Sequence, residues 1–180
     1  MQSFRTSRTV AHSAEEMFAL VADVEAYPKF LPLCEGMKVR RREVRDGKPV
    51  FVADMTIAYK MLRETFTSRV TLDHPASMIR VDYLDGPFKH LENRWTFRPT
   101  GPRSCEVDFF IEWELRSRTL SMIVGAVFER VFRRYAEAFE ARADAVYGKR
   151  APGAQGRGQA VAGTSAASAT SSSASSTESR

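Results

Sequence analysis

Two periodicities divide this chain, and the point where one gives way to the other constrains the fold more than anything else in it. Between Met37 and Leu115 apolar residues recur at every second position, and after Ser117 they recur every three to four. Strand side chains alternate between faces, whereas a helix returns to one face after about 3.6 residues. The first stretch therefore reads as strands and the second as a helix. In the strand Glu106–Glu114, Val107, Phe109, Ile111, Trp113 and Leu115 share one face, against Glu106, Asp108, Glu112 and Glu114 on the other. The preceding strand sets Leu91, Asn93, Trp95 and Phe97 against His90, Glu92, Arg94, Thr96 and Arg98. A hairpin centred near Gly101 would place Arg94 opposite Asp108, a favourable cross-strand pair.

Further rows are Phe51, Ala53, Met55, Ile57 and Tyr59, then Leu62, Phe66, Val70 and Leu72, then Ile79, Val81 and Tyr83. Turn signals at Asp46–Gly47, Asp73–His74–Pro75, Asp85–Gly86–Pro87 and Pro99–Thr100–Gly101–Pro102 separate them, so the strands form an antiparallel meander. The strand that carries Lys38, Arg40, Arg41 and Arg42 shows no clean apolar face, and its register stays open.

Ser13–Ala14–Glu15–Glu16 ahead of Met17, Phe18, Leu20, Val21 and Val24 is a capping box feeding an apolar stripe, which predicts a helix over about 13–23. The segment Tyr27–Leu33 is rich in large apolar groups but holds Pro28 and Pro32, so it accommodates at most a short helical turn. In the C-terminal helix Leu120, Ile123, Val124, Val127, Phe128, Val131, Tyr135 and Phe139 form one wide stripe, and the helix should end at Gly148. Strand, helix, meander and long helix make an α+β domain whose last helix lies on the apolar face of the sheet.

Residues 1–148 are thus expected to be that domain. Residues 149–180, dominated by Ala, Ser, Gly and Thr, are expected to be a disordered tail, because they hold too little apolar surface to offset their ordering entropy. The N-terminus has no apolar leader, and Thr119–Phe128 is about half of a bilayer span. A soluble, cytoplasmic protein is expected, with peripheral contact at an inner membrane as an extension. The net charge of +5 is mild.

Searches for a nucleophile with a base, a metal cluster or a phosphate-binding glycine loop find nothing. His12, His74 and His90 are expected at the surface, and Cys34 and Cys105 as buried or half-buried thiols, with no metal or cofactor. Two polar residues stand in apolar rows: Glu64 beside Leu62 and Phe66, and Asn93 between Leu91 and Trp95. Either they bond to each other, to an arginine or to water, or they offer hydrogen bonds to a ligand in an apolar pocket. The aromatic residues, Phe66, Trp95, Phe97, Phe109, Trp113, Phe128 and Phe132, either fill a core or line that pocket. Gly125 fits a place where a backbone or ligand approaches the helix.

The block Ser13–Phe18, continued through Val21–Ala22–Asp23–Val24 to Tyr27–Pro28–Lys29–Phe30–Leu31–Pro32–Leu33–Cys34, resembles the coenzyme-Q-binding START-domain family, RatA-like members included, within the polyketide cyclase/START-like superfamily. Glu64–Val70, Gly86–Leu91 and Trp95–Thr96–Phe97 support the likeness, which covers residues 3–147. The resemblance implies a helix-grip fold, a curved antiparallel sheet wrapped around the long helix, with an internal cavity that binds ubiquinone or a related isoprenoid lipid. It implies a lipid chaperone for respiratory electron transport and quinone synthesis, not a catalyst, with Tyr27–Cys34 bordering the pocket entrance. The expected ligand-binding residues are Tyr27, Phe30, Leu31, Leu33, Glu64, Phe66, Asn93, Trp95, Phe97, Phe109, Trp113 and Phe128. Lys38, Arg40, Arg41 and Arg42 would meet anionic lipid or RNA. The RatA-like branch implies an alternative, a ribosome partner with interference in subunit joining. The superfamily also holds aromatase/cyclases, against which the lack of a paired interior acid and base argues.

Overall fold

The computed structural model describes residues 1–149, apart from the side chains at positions 120, 123–126 and 129, and in it the two periodicities become two layers. The strands are β1 (Gln2–Val10), β2 (Cys34–Arg45), β3 (Lys48–Tyr59), β4 (Leu62–Asp73), β5 (Met78–Asp85), β6 (Phe88–Gly101) and β7 (Ser104–Leu115). They form one antiparallel sheet in the order β1-β7-β6-β5-β4-β3-β2. The helices are α1 (Ala14–Ala22) and α2 (Arg118–Tyr147). Gly125 and residues 150–180 lie outside the described residues, so the expectations placed on them do too.

Because β1 and β2 occupy opposite edges, the chain between them must cross the width of the sheet. It does so with α1, which touches β5, β6 and β7, and a 3₁₀ turn at Val24–Lys29, which touches β2. Ser13 starts α1: its Oγ accepts from Glu16 N at 3.1 Å, and Glu16 Oε2 accepts from Ser13 N at 2.9 Å. Pro28 sits inside the 3₁₀ turn, as the two prolines required of so short a helix. α2 ends where Gly148, at φ 87°, donates to Asp144 O at 3.0 Å.

The inward rows are those the alternation predicts. Leu91, Asn93, Trp95 and Phe97 of β6 and Val107, Phe109, Ile111, Trp113 and Leu115 of β7 are all buried. α2 meets them through aromatic rings: Phe132 lies 5.6 Å from both Phe109 and Trp113, and Phe139 lies 5.1 Å from Trp95.

Three local expectations need correction. First, the β6–β7 ladder sets Arg94 opposite Phe110, with the guanidinium 5.4 Å from the ring centroid, and Thr96 opposite Asp108. Gly101 pairs with Ser104, so the reversal falls on Pro102–Arg103, where the fixed φ of proline suits a turn; Asp108 instead takes Arg98 at 2.6 Å. Second, β2 is bulged between Cys34 and Gly36 and again between Val39 and Arg41, and each bulge changes which residues face inward. Met37 and Val39 are half-buried, but beyond the second bulge Arg42 covers the Phe51 ring at 5.4 Å. Third, His12 is not at the surface but 1% exposed, because the β1–α1 junction passes beneath the end of α2. His74 is exposed against the Phe18 ring, and His90 is half-exposed beside Glu112.

Candidate ligand cavity

The curved sheet and α2 leave space between them, in two adjoining chambers of about 140 Å³ each. Ile57, Phe66, Phe88, Phe128, Phe132 and Tyr135 line both, so the two form one continuous space. The inner chamber reaches α1 at Val21 and the crossing segment at Val24, Tyr27 and Leu31, with Trp95, Phe109 and Ile111 as its floor. The outer chamber is lined by the half-buried Leu33, Tyr59, Leu62, Pro87 and Val131 beside the exposed Glu64. An apolar cavity of about 150 Å³ holds a molecule the size of benzene, so each chamber takes about one ring or a short aliphatic length.

Nine of the twelve expected ligand residues line this space. Tyr27, Leu31, Asn93, Trp95 and Phe109 face the inner chamber, Leu33 and Glu64 the outer, and Phe66 and Phe128 both. The other three stand behind the walls. Phe30 turns its ring onto Tyr27 and Phe139 under the Arg142 guanidinium. Phe97 lies one inward position beyond Trp95, beneath α1, where Phe18 covers it at 5.6 Å. Trp113 is screened by Phe128, stacked on it at 4.4 Å.

The two expected polar points both line the cavity but differ in exposure and in partners. Glu64 pairs with Ile57 only a few residues from the β3–β4 turn, so its carboxylate is exposed at the cavity rim. Asn93 is buried, but its Nδ2 donates to Phe110 O at 2.9 Å and its Oδ1 accepts from Trp95 Nε1 at 3.0 Å. Both ends of its amide are therefore held within the sheet.

Sequence reasoning missed two other hydroxyls. Ser68 and Tyr135 line the inner chamber, and Ser68 Oγ and Tyr135 OH are buried with no protein hydrogen-bond partner. The signal for Ser68 was present: it interrupts the apolar row between Phe66 and Val70, as Glu64 does two residues earlier. Tyr135 was counted only as part of the helical stripe. By contrast, Tyr27 OH donates to Val21 O at 2.6 Å.

Burial disfavours ionisation of the two phenols that line the inner chamber and of the Cys34 thiol outside it. Burial pushes the Tyr27 and Tyr135 phenols above their ordinary value, and burial pushes the Cys34 thiol up to about 11. The interior is neutral, and Glu64 is the carboxylate at the rim.

The basic run is largely balanced. Arg40 Nε lies 2.6 Å from Asp54, Arg42 Nη2 lies 2.9 Å from Glu25, and Glu43 serves both Arg41 at 3.6 Å and Arg45 at 2.6 Å. Lys38 is exposed. Among the described residues no group of three His, Cys, Asp or Glu is placed to hold a metal ion, and no helix is long and apolar enough to cross a membrane.

A curved seven-stranded antiparallel sheet closed by a C-terminal helix over such a space is a helix-grip architecture, and a family model described as "Polyketide cyclase / dehydrase and lipid transport" matches residues 10–140. The chain belongs to this family. Within it, the chain is 35% identical over 146 residues to "Ribosome association toxin RatA" of Escherichia coli (strain K12), covering 80% of this chain and 89% of that protein. It is 33% identical to "Coenzyme Q-binding protein COQ10, mitochondrial" of Drosophila melanogaster, over 72% of this chain and 53% of that one. The solution structure of an 18 kDa protein from Caulobacter crescentus superposes with a TM-score of 0.70 at 34% identity, covering 83% of this chain and all of that one. The polyketide cyclase and lipid transport family thus joins proteins named for catalysis with proteins named for binding.

Proposed function

We propose that the protein binds ubiquinone or a related isoprenoid quinone in the two-chamber cavity, as a lipid chaperone that supports respiratory electron transport and quinone synthesis. The observation that carries this reading is the continuous, neutral, aromatic-walled space, sized for one ring and a short length of prenyl chain. The coenzyme-Q-binding name of the fly relative supports the same ligand class. Binding rather than catalysis fits the inner walls, which among the described residues present hydroxyls and amides but no carboxylate or imidazole to pair as acid and base. Native mass spectrometry and organic extraction of the purified full chain test it. An isoprenoid quinone should co-purify in a stable ratio, and recovery of no apolar ligand would sink the reading.

A second reading, ribosome association, is favoured by the name of the Escherichia coli relative. Its electrostatic basis on β2 is thin, since Arg40, Arg41 and Arg42 each face a carboxylate. Cosedimentation with large ribosomal subunits that fades as salt rises would support it. Absence of cosedimentation at low salt would remove it.

A further inference from the structure

Ser68 and Tyr135 approach the inner chamber from opposite layers, Ser68 from β4 and Tyr135 from α2. Every other part of that wall is apolar or has its polar groups engaged: Asn93 within β6–β7, Tyr27 on Val21 O. A buried hydroxyl without a partner destabilises a fold, and replacing it with an apolar group of the same shape usually does no harm. Neither hydroxyl has a hydrogen-bond partner within the protein, so both are free to serve what enters the chamber.

We propose that the Tyr135 and Ser68 hydroxyls are the anchors for the ligand's head group, a neutral ring bearing carbonyl or ether oxygens. Resting on the quinone-binding reading above, this adds which atoms recognise the ligand and which way round it sits. Each hydroxyl donates to a ring oxygen, one from the sheet side and one from the helix side, so a ring with oxygens on opposite edges is bridged between the layers. A carboxylate or phosphate head is disfavoured, because the chamber offers no cation to offset its desolvation. The head therefore lies innermost. The prenyl chain runs outward past Phe66 and Phe128 and leaves between Leu33, Leu62, Pro87 and Val131, because the outer walls offer it apolar surface.

The test uses delipidated full-length protein and two probes, decylubiquinone and decylbenzene, which share a tail but differ in ring oxygens. Quenching of tryptophan fluorescence, to which Trp95 of the inner wall contributes, reports decylubiquinone binding, and displacement of an uncharged fluorescent polyene reports decylbenzene. Tyr135→Phe and Ser68→Ala should each weaken decylubiquinone binding about 5- to 10-fold while leaving decylbenzene within about twofold. The ligand-free variants should unfold at the same temperature as the parent or higher. If both variants bind decylubiquinone as the parent does, the anchors are wrong although the quinone reading stands. If the parent binds neither probe, the quinone reading falls and takes the anchors with it. A lowered unfolding temperature in both variants would assign the hydroxyls to the fold and overturn the proposal.

Discussion

His12 Nε2 lies 2.7 Å from Asp144 Oδ1, joining the β1–α1 junction to the last turn of α2 across 132 positions of sequence. Glu16 Oε2 stands 3.8 Å from the other ring nitrogen, and Tyr147 OH donates to Glu16 O at 3.1 Å. The helix that covers the cavity is thus fastened at its C-terminal end by a buried imidazole.

His12→Ala should therefore destabilise the domain by about 2 kcal/mol, because it removes a buried polar contact and leaves a small void. Asp144→Ala should cost less, its carboxylate being one-third exposed. Urea unfolding of both single variants and the double variant checks this: a coupling of about 0.5 kcal/mol or more is expected. Strict additivity would show that the 2.7 Å contact contributes nothing.

Asn93→Ala should lower stability by about 1–3 kcal/mol, since it leaves the Trp95 indole N–H buried without its acceptor. Thermal unfolding of the ligand-free protein reads this directly. A variant that keeps its unfolding temperature but loses quinone affinity would instead make Asn93 a ligand contact.

The contrast among Glu64, Ser68 and Asn93 shows how far the sequence could be read. All three are polar residues in apolar rows, and the alternation places each on the inner face, which the structure bears out. Alternation is local, so the rows, the Ser13 capping box and the α2 stripe were all legible from neighbouring residues. Whether a row position is wet, sealed or open to a cavity depends on where the row ends and what lies above it. Glu64 is exposed because β4 begins two residues earlier, and Ser68, four residues further along β4, is buried in the wall of the inner chamber. His12 misled for the same reason, as its cover arrives from α2. The bulges of β2 hid its register, because one extra residue reverses the faces that a period of two assigns.

Cys34 and Cys105 make the protein alkali-sensitive. Burial raises their thiols to about 11 and about 12, against an ordinary 9.0, with Glu15 and Glu16 adding to the effect at Cys105. A group whose folded value is raised leaves stability intact below its unfolded value and removes it as pH climbs towards the folded one, because the unfolded chain ionises first. Stability should hold to about pH 9 and fall between there and pH 11 to 12. Cys105→Ala should flatten that decline in urea titrations at a series of alkaline pH values. An unchanged slope would mean that Cys34 and the buried phenols carry it without Cys105.

Gly86 lies against Phe66, which lines both chambers. At φ 131° it occupies a region that side chains rarely adopt, and a Cβ there would stand 2.8 Å from Phe66 Cβ and 3.0 Å from Thr65 O. Phe66 lines both chambers and meets the Phe88 ring edge-on at 5.6 Å, so it has little room to retreat except into the cavity. Gly86→Ala should cost about 1–3 kcal/mol through strain and contact together, and should weaken decylubiquinone binding in the fraction that stays folded. Gly47→Ala is the control: its φ of 73° is also strained, but nothing lies within 4 Å of the added carbon. It should lose stability and keep its affinity. Equal affinities in the two variants would show that displacement of Phe66 does not narrow the way in.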